Sequence, residues 1–191
     1  MTSDTSIKVW DPLVRVFHWL LAAGFFVAYF SEDDFQQVHH IAGYLITSLV
    51  IGRILWGFIG SKHAQFKNFI ADPTTVIAYL KGMIKGDHPR YLGHNPAGAV
   101  MIFLLLGSIL CIAFTGMTIL AIEEQAGPLA GWVQTMGWTD DDVFEELHEF
   151  FANFTVFLVI FHVSGVLLES MLHKDNLVKS MFTGRKQKNI K

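Results

Sequence analysis

The sequence is short of charge and of cysteine, and each shortage excludes a class of protein. Charged residues make up 16% of the 191 residues, against about 25% in a typical soluble domain, while 52% are hydrophobic. Because the mean hydropathy is also positive, a water-soluble globular domain is excluded and a membrane protein is indicated. The net charge of −3 gives no indication of nucleic-acid binding.

The only cysteine, Cys111, excludes a disulfide framework within the chain. The sequence also lacks a CxxCH motif, so covalent attachment of haem is excluded and any haem is expected to be non-covalent. Internal repeats are missing as well, although transporters with broken helices usually carry them.

The sequence does contain four apolar runs of about 20 residues, the length that crosses a bilayer as a helix. They are Leu13–Phe30, Val38–Ile59, Ala97–Ile122 and Leu147–Leu172. The first run lacks a small-residue cleavage site, so we interpret it as a retained span rather than a signal peptide. These features predict an all-α integral membrane four-helix bundle. Residues 1–191 form its one domain and residues 173–191 its tail.

Basic residues are confined to one side of this pattern. All 14 Lys and Arg lie at the N-terminal end, in the tail, or in the loop between the second and third runs with the adjoining half of the second run. The other two loops contain no Lys or Arg; their acidic residues include Glu32, Asp33, Asp34, Glu123, Glu124, Asp140, Asp141 and Asp142. By the positive-inside rule, both termini are predicted to be cytoplasmic and the acidic loops to face a cationic partner.

The loop of residues 61–95 is long enough for a helix of its own. Asp72-Pro73 predicts a helix start, and an apolar stripe follows at Val76, Ile77, Leu80, Met83 and Ile84. We interpret this segment as a short amphipathic helix that lies at the membrane interface and anchors the loop to lipid. A quinone-binding element is the alternative.

Histidines recur inside the apolar runs, where ionisable side chains are costly and usually functional. His148 and His162 are 14 residues apart, which is about 21 Å of helical rise and nearly four whole turns, so both rings leave the same face. His18 lies at the inner depth of His162, and the doublet His39 and His40 lies at the outer depth of His148.

Imidazole is a usual axial ligand of haem iron. The depths therefore predict two six-coordinate sites about 20 Å apart, one between His18 and His162 and one between His148 and either His39 or His40. The alternative is buried histidines whose polar atoms are satisfied by neighbouring groups. We interpret His94 as structural or interfacial, and we expect His63, His88 and His173 to be ordinary surface histidines.

Three motifs carry a family resemblance: WDPLVRVFHW at residues 10–19, HHIAGYLITSLVIGRILWG at 39–57 and GHNPAGA at 93–99. Together with the 14-residue histidine pair, they resemble the bacterial cytochrome b561 family, which includes the b-type cytochrome subunits of nickel–iron hydrogenases. The resemblance implies a membrane cytochrome with two haem b groups that carries electrons between a quinone and a redox partner.

The resemblance also implies residue roles. His18, His39, His148 and His162 match the ligand positions of the family. The second-run ligand of the family usually precedes a glycine by four residues, which favours His39 with its Gly43 over His40. Three arginines are candidates to pair with haem propionates, although they serve equally well as topology signals: Arg15, Arg53 and Arg90.

The first functional hypothesis is a dihaem electron-transfer subunit of the bacterial inner membrane rather than a self-contained enzyme. Its partner would be a hydrogenase subunit or a periplasmic c-type cytochrome, with stand-alone quinol oxidation as a third option. Quinone chemistry also needs a proton path, for which the sequence offers Lys8, Arg15, Tyr91 and His94. The hypothesis from another class is a haem-free proton or metal transporter that uses histidines with Glu149 and Glu169.

Overall fold

The computed structural model describes residues 6–32 and 34–188. Asp33 of the first acidic loop and Lys191 of the basic tail lie outside the described residues. The described elements are β1 (Ser6–Lys8), α1 (Pro12–Phe30), α2 (Gln36–Ile59), a 3-10 turn (Phe66–Asn68), α3 (Pro73–Lys85), α4 (Pro96–Glu123), α5 (Ala130–Met136), α6 (Asp142–Leu172), α7 (Leu177–Thr183) and β2 (Arg185–Gln187).

Four of these helices, α1, α2, α4 and α6, are long and apolar enough to cross a membrane. This confirms the prediction of a mostly helical chain with four candidate spans. Only 11% to 28% of each apolar stretch is buried within the protein, so most of the apolar surface faces outward. A soluble helix would bury its apolar face and expose polar residues instead.

Helix starts follow the capping signals in the sequence. Asp72 caps α3 by accepting a hydrogen bond from the N–H of Thr75 (3.0 Å), and Asn95 accepts one from the N–H of Gly98 (2.6 Å) at the start of α4. The start of α6 lies five residues before the predicted span, at Asp142. Acidic residues in a first turn favour the helix dipole, so the helix extends beyond its apolar part.

The described residues form two compact units. The first unit comprises residues 6–20, 51–103 and 159–188, and the second comprises residues 21–32, 34–50 and 104–158.

In the first unit, Asp11 connects three parts of the chain. Its Oδ1 accepts a hydrogen bond from the N–H of Val14 (2.9 Å) and so caps α1. Its Oδ2 accepts from the indole N–H of Trp56 (3.3 Å) and from the hydroxyl of Ser61. Burial would raise the pKa of Asp11, but these hydrogen bonds outweigh burial and hold it below its ordinary value of 3.8.

The ends of the chain also meet in the first unit. Strands β1 and β2 pair antiparallel, with Ser6 opposite Gln187. Beside them, the indole N–H of Trp10 donates to the hydroxyl of Ser180 (3.3 Å). Neither the strands nor α7 were predicted, because elements of three to seven residues carry too few positions for a hydrophobic period.

In the second unit, polar side chains join the apolar helices. The hydroxyls of Ser108 on α4 and Thr155 on α6 lie 2.6 Å apart, and the hydroxyl of Tyr29 on α1 donates to Asn153 on α6 (2.8 Å). Such contacts hold membrane helices together because lipid offers no hydrophobic force between helices.

We predict that Asp11→Ala lowers the free energy of unfolding in detergent by about 2 kcal/mol, because it removes a helix cap and two further hydrogen bonds. Since the folded-state pKa of Asp11 is lowered, its contribution is complete above pH 3.8 and is lost as the pH falls through the lowered value. Asp72→Ala is the control, since among the described residues Asp72 accepts hydrogen bonds from Thr74 and Thr75 of its own helix start and does not join separate parts of the chain. Equal losses in chemical denaturation would contradict the role given to Asp11.

Candidate functional site

In the second unit, the rings of His39 on α2 and His148 on α6 face each other with their centroids 5.9 Å apart. The Nδ1 of His39 lies 3.0 Å from the carbonyl oxygen of Ala28, and the Nδ1 of His148 lies 3.1 Å from that of Ile112. A carbonyl can only accept, so each Nδ1 carries the proton. Each Nε2 therefore keeps its lone pair free for a metal.

Both rings line a cavity of about 480 Å³. Cofactor pockets usually occupy roughly 300–1,000 Å³. Gly43 lines this cavity, and a Cβ added there would meet no atom within 4 Å. A Cβ added at Gly116 would lie 2.9 Å from Cε1 of His148, so the imidazole packs directly on that glycine. Gly116 thus makes room for the imidazole of His148, and Gly43 leaves open space in the cavity for a flat ligand.

The charge of this cavity is negative. The described residues that line it include no Lys or Arg. Its carboxylates are Glu32, Glu123, Glu145, Glu146 and Glu149. A cofactor in the cavity would therefore have its own acidic groups near protein carboxylates rather than near arginines.

In the first unit, the rings of His18 on α1 and His162 on α6 have their centroids 6.2 Å apart. The Nδ1 of His18 is buried and finds no hydrogen-bond partner among the described residues. A buried polar atom without a partner is costly, which argues against the interpretation of His18 as a satisfied core histidine.

The spacing of each pair fits one metal ion between two imidazoles. A metal–imidazole bond of about 2 Å, with about 1.1 Å from the nitrogen to the ring centre, separates the centroids of two trans ligands by about 6 Å. The measured separations are 5.9 Å and 6.2 Å. Both pairs therefore fit bis-imidazole ligation of a haem iron. Of the doublet, His39 is the ring that lies next to His148, while His40 lies beside His39 with centroids 6.1 Å apart.

The three arginines differ in how their donors are used. Arg53 is buried and donates to the carbonyl of Ala64 (3.2 Å), but its Nη1 has no partner among the described residues; the same holds for Nε of Arg15. Arg90 is already paired, since its Nη2 lies 2.6 Å from Asp175 and 2.7 Å from the carbonyl of Gln187. Free donors for an anionic group are thus offered by Arg15 and Arg53.

The sequence offered no reason to single out Lys186, which is 6% exposed. Its ammonium group lies 5.4 Å from the ring centre of Trp10 and 3.4 Å from the carbonyl oxygen of Tyr91. Burial lowers the pKa of Lys186 to about 8. Its position depends on the pairing of β1 and β2, which joins residues almost 180 positions apart and leaves no local signal.

His94 lies between Trp10 and Phe69, with ring centroids 4.6 Å and 4.5 Å away. Burial, with Arg53 and Lys186 nearby, lowers the pKa of His94 to about 3. The ring is therefore neutral at physiological pH and cannot act there as a protonated relay.

The expectation that His88 and His173 are ordinary surface histidines was wrong. The side chains of His88 and His173 are 2% and 19% exposed, and both lie against Glu169. The sequence could not show this, because the two histidines are 85 residues apart and meet only through the path of the interspan loop.

Comparison with known proteins agrees with the predicted resemblance. The chain matches the family described as prokaryotic cytochrome b561 over residues 9–184. A "Probable Ni/Fe-hydrogenase B-type cytochrome subunit" from Rhodobacter capsulatus is 26% identical, over 95% of this chain and 82% of that protein. Its counterpart from Cupriavidus necator is also 26% identical, over 96% of this chain and 89% of its own length.

A more distant relative is the "Probable Ni/Fe-hydrogenase 1 B-type cytochrome subunit" of Escherichia coli K12, which is 24% identical over 92% of this chain and 88% of its own. No solved structure matches the chain. The family match covers nearly the whole chain and includes all four paired histidines. The chain therefore belongs to the prokaryotic cytochrome b561 family, a family of multi-pass b-type membrane cytochromes that implies haem binding and electron transport.

Proposed function

We propose that this chain is a dihaem electron-transfer subunit that carries electrons across the bacterial inner membrane from a periplasmic partner to a quinone. The observation that carries the proposal is the presence of two facing histidine pairs, each with the centroid spacing of iron ligands. Haem b, when bound, supplies a one-electron Fe(III)/Fe(II) couple. If two histidines held each haem, the group would supply electron transfer rather than oxygen chemistry.

In this proposal the histidines act through both ring nitrogens. The carbonyls of Ala28 and Ile112 hold the Nδ1–H of His39 and of His148, which fixes each ring and makes its Nε2 a stronger donor to the metal. His18 and His162 are the second ligand pair. Arg15 and Arg53 offer the free donors for propionates, and Arg90 does not, because Asp175 occupies it.

The orientation in the membrane rests on charge. With the Lys- and Arg-rich segments in the cytoplasm, the pair of His39 and His148 faces the periplasm and the pair of His18 and His162 faces the cytoplasm. Helix α3 then lies at the cytoplasmic interface, with lysines Lys81 and Lys85 toward the lipid headgroups.

The unequal charge of the two sites gives electron flow a direction. Carboxylates around a haem stabilise its oxidised form and lower the midpoint potential, whereas cations raise it. The cavity of His39 and His148 is lined by five glutamates and by no described Lys or Arg, whereas Arg15 and Arg53 of the first unit are the donors proposed for the propionates at His18 and His162. Electrons would therefore move downhill from the pair of His39 and His148 to the pair of His18 and His162, that is, inward toward a quinone.

The favoured partner is a subunit of a nickel–iron hydrogenase, because the relatives are named as B-type cytochrome subunits of such a hydrogenase. The acidic loops would bring a basic face of this partner to the outer site. A periplasmic c-type cytochrome has the same electrostatic requirement and is the second candidate.

We expect His148→Ala and His162→Ala each to reduce the haem content from two haem b to one per chain, because each removes one axial ligand from a different site. Pyridine haemochrome analysis of purified protein measures this content, with His63→Ala as the unpaired control. His39→Ala should match His148→Ala, and His40→Ala should keep both haems. Folded wild-type protein without haem would instead favour the transporter hypothesis.

We predict that Gly43→Leu, which fills the cavity beside His39, lowers haem content by about one per chain without unfolding the protein. Gly43 lines the cavity and has open space at its Cβ. Gly131→Leu is the matched control, because Gly131 also has open space at its Cβ but lies on α5 and does not line the cavity. Two haems in the Gly43 variant would show that the cavity is not the haem site.

Neutralising the acidic cavity should change one midpoint potential and leave the other. Glu123→Gln combined with Glu145→Gln removes two lining carboxylates and should raise the lower of the two potentials by tens of millivolts, the order expected for charges about 10 Å away. Glu124→Gln combined with Asp140→Asn is the control, since neither residue lines the cavity. Spectroelectrochemical titration checks this, and a shift of the higher potential instead would contradict the proposed direction of flow.

A further inference from the structure

Three metal-ligating side chains meet in the first unit, apart from the paired histidines of the haem sites. His88 Nε2 lies 3.0 Å from Oε1 of Glu169, and His173 Nε2 lies 3.4 Å from Oε2 of the same carboxylate. The two Nε2 atoms are 3.1 Å from each other. The side chain of His88 is 2% exposed and that of Glu169 is 11% exposed, so this is a built site rather than a surface cluster.

Local features of the sequence place each of these three side chains. Glu169 and His173 are four residues apart at the end of α6, so they share one helix face. His88 arrives after α3 because the chain turns back over Gly82, where the N–H of Asp87 donates to the Gly82 carbonyl (2.9 Å). A Cβ at Gly82 would lie 2.5 Å from the carbonyl oxygen of Asp87, so this return needs a glycine.

Protons on the two imidazoles alone do not satisfy the three contacts while Glu169 is a carboxylate. If both Nε2 atoms carry a proton toward Glu169, the two N–H groups of His88 and His173 oppose each other at 3.1 Å. If only one carries a proton, the other nitrogen places its lone pair against a carboxylate oxygen. A single cation held by the two imidazole nitrogens and the carboxylate accepts a lone pair from each of the three side chains at once.

The distances also have the size that a metal ion requires. Bonds of about 2.0–2.2 Å in tetrahedral geometry separate neighbouring ligand atoms by about 3.3 Å. The two imidazole nitrogens are 3.1 Å apart, and they lie 3.0 Å and 3.4 Å from an oxygen of the carboxylate, Oε1 for His88 and Oε2 for His173. The hydroxyl of Tyr79 donates to Oε1 of Glu169 (2.7 Å) and is 4% exposed as a residue, which is the outer hydrogen bond that metal-binding carboxylates usually have.

We propose that His88, Glu169 and His173 form a site for one divalent ion of the zinc class, which joins the segment after α3 to the end of α6. Two imidazoles and one carboxylate are the donor set that zinc accepts, with the fourth position left for water. The site goes beyond the proposed electron-transfer function and does not depend on it.

Zinc retention by the purified full-length protein tests this proposal. We would strip metal with EDTA, add zinc chloride, desalt, and measure zinc per chain by mass spectrometry beside haem by pyridine haemochrome. Wild-type protein should retain one zinc per chain. His88→Ala and His173→Ala should weaken zinc binding at least tenfold with haem content unchanged, and His63→Ala, from the same interspan loop, should bind as wild type.

Two further measurements separate a metal site from a hydrogen-bonded cluster. His173→Cys replaces one zinc ligand with another and should keep zinc, although it removes the contact between the two imidazoles. Zinc K-edge absorption of the wild type should show nitrogen and oxygen ligands at about 2.0 Å, with two imidazoles. No zinc in wild-type protein, or equal zinc in the variant lacking both histidines, would overturn the site. Loss of haem alone would count against the proposed function and not against this site.

Discussion

The constraint on which this molecule depends is the cost of placing imidazole lone pairs in an apolar helical bundle. A neutral imidazole has one donor and one acceptor, and the helix backbone around it offers only carbonyl acceptors, because its N–H groups are already bonded. In the second unit, those carbonyls take the Nδ1–H of His39 and His148 and leave an Nε2 acceptor on each of two neighbouring rings. A hydrogen-bond donor or a cation between these nitrogens removes the cost of burying them. The expected cofactor would supply that cation.

The two histidine pairs solve this problem in different surroundings. The pair in the second unit has helix carbonyls behind it and glutamates along its cavity. The pair in the first unit belongs to a region in which arginine and lysine are buried and retain free or weakly bonded donors. Under the proposed function, these unequal charges would hold the two haems at different potentials.

The features that depend on the regular period of the α-helix could be predicted from the sequence. Helix geometry accounts for the four spans and for the capping signals at Asp11, Asp72 and Asn95. It also accounts for the pairing of His148 and His162 with histidines at matching depth. Their role as ligands stays a prediction. The environments of Arg90, Lys186 and His88 were not readable, because each depends on a contact between segments more than 80 residues apart. A contact that depends on the path of a loop or on the pairing of distant segments produces no periodic pattern in the sequence.

Helix α6 and the residue that follows it carry four of the candidate ligand residues. At 100° per residue, His148, His162, Glu169 and His173 fall within about 60° of one another around the helix axis. A stripe of this width can place side chains at several different heights along one face of the helix. Each other helix then needs to supply only one histidine, at the depth that α6 has already fixed. The span of α4 carries no histidine. It packs against the other helices instead, and its Gly116 makes room for the imidazole of His148.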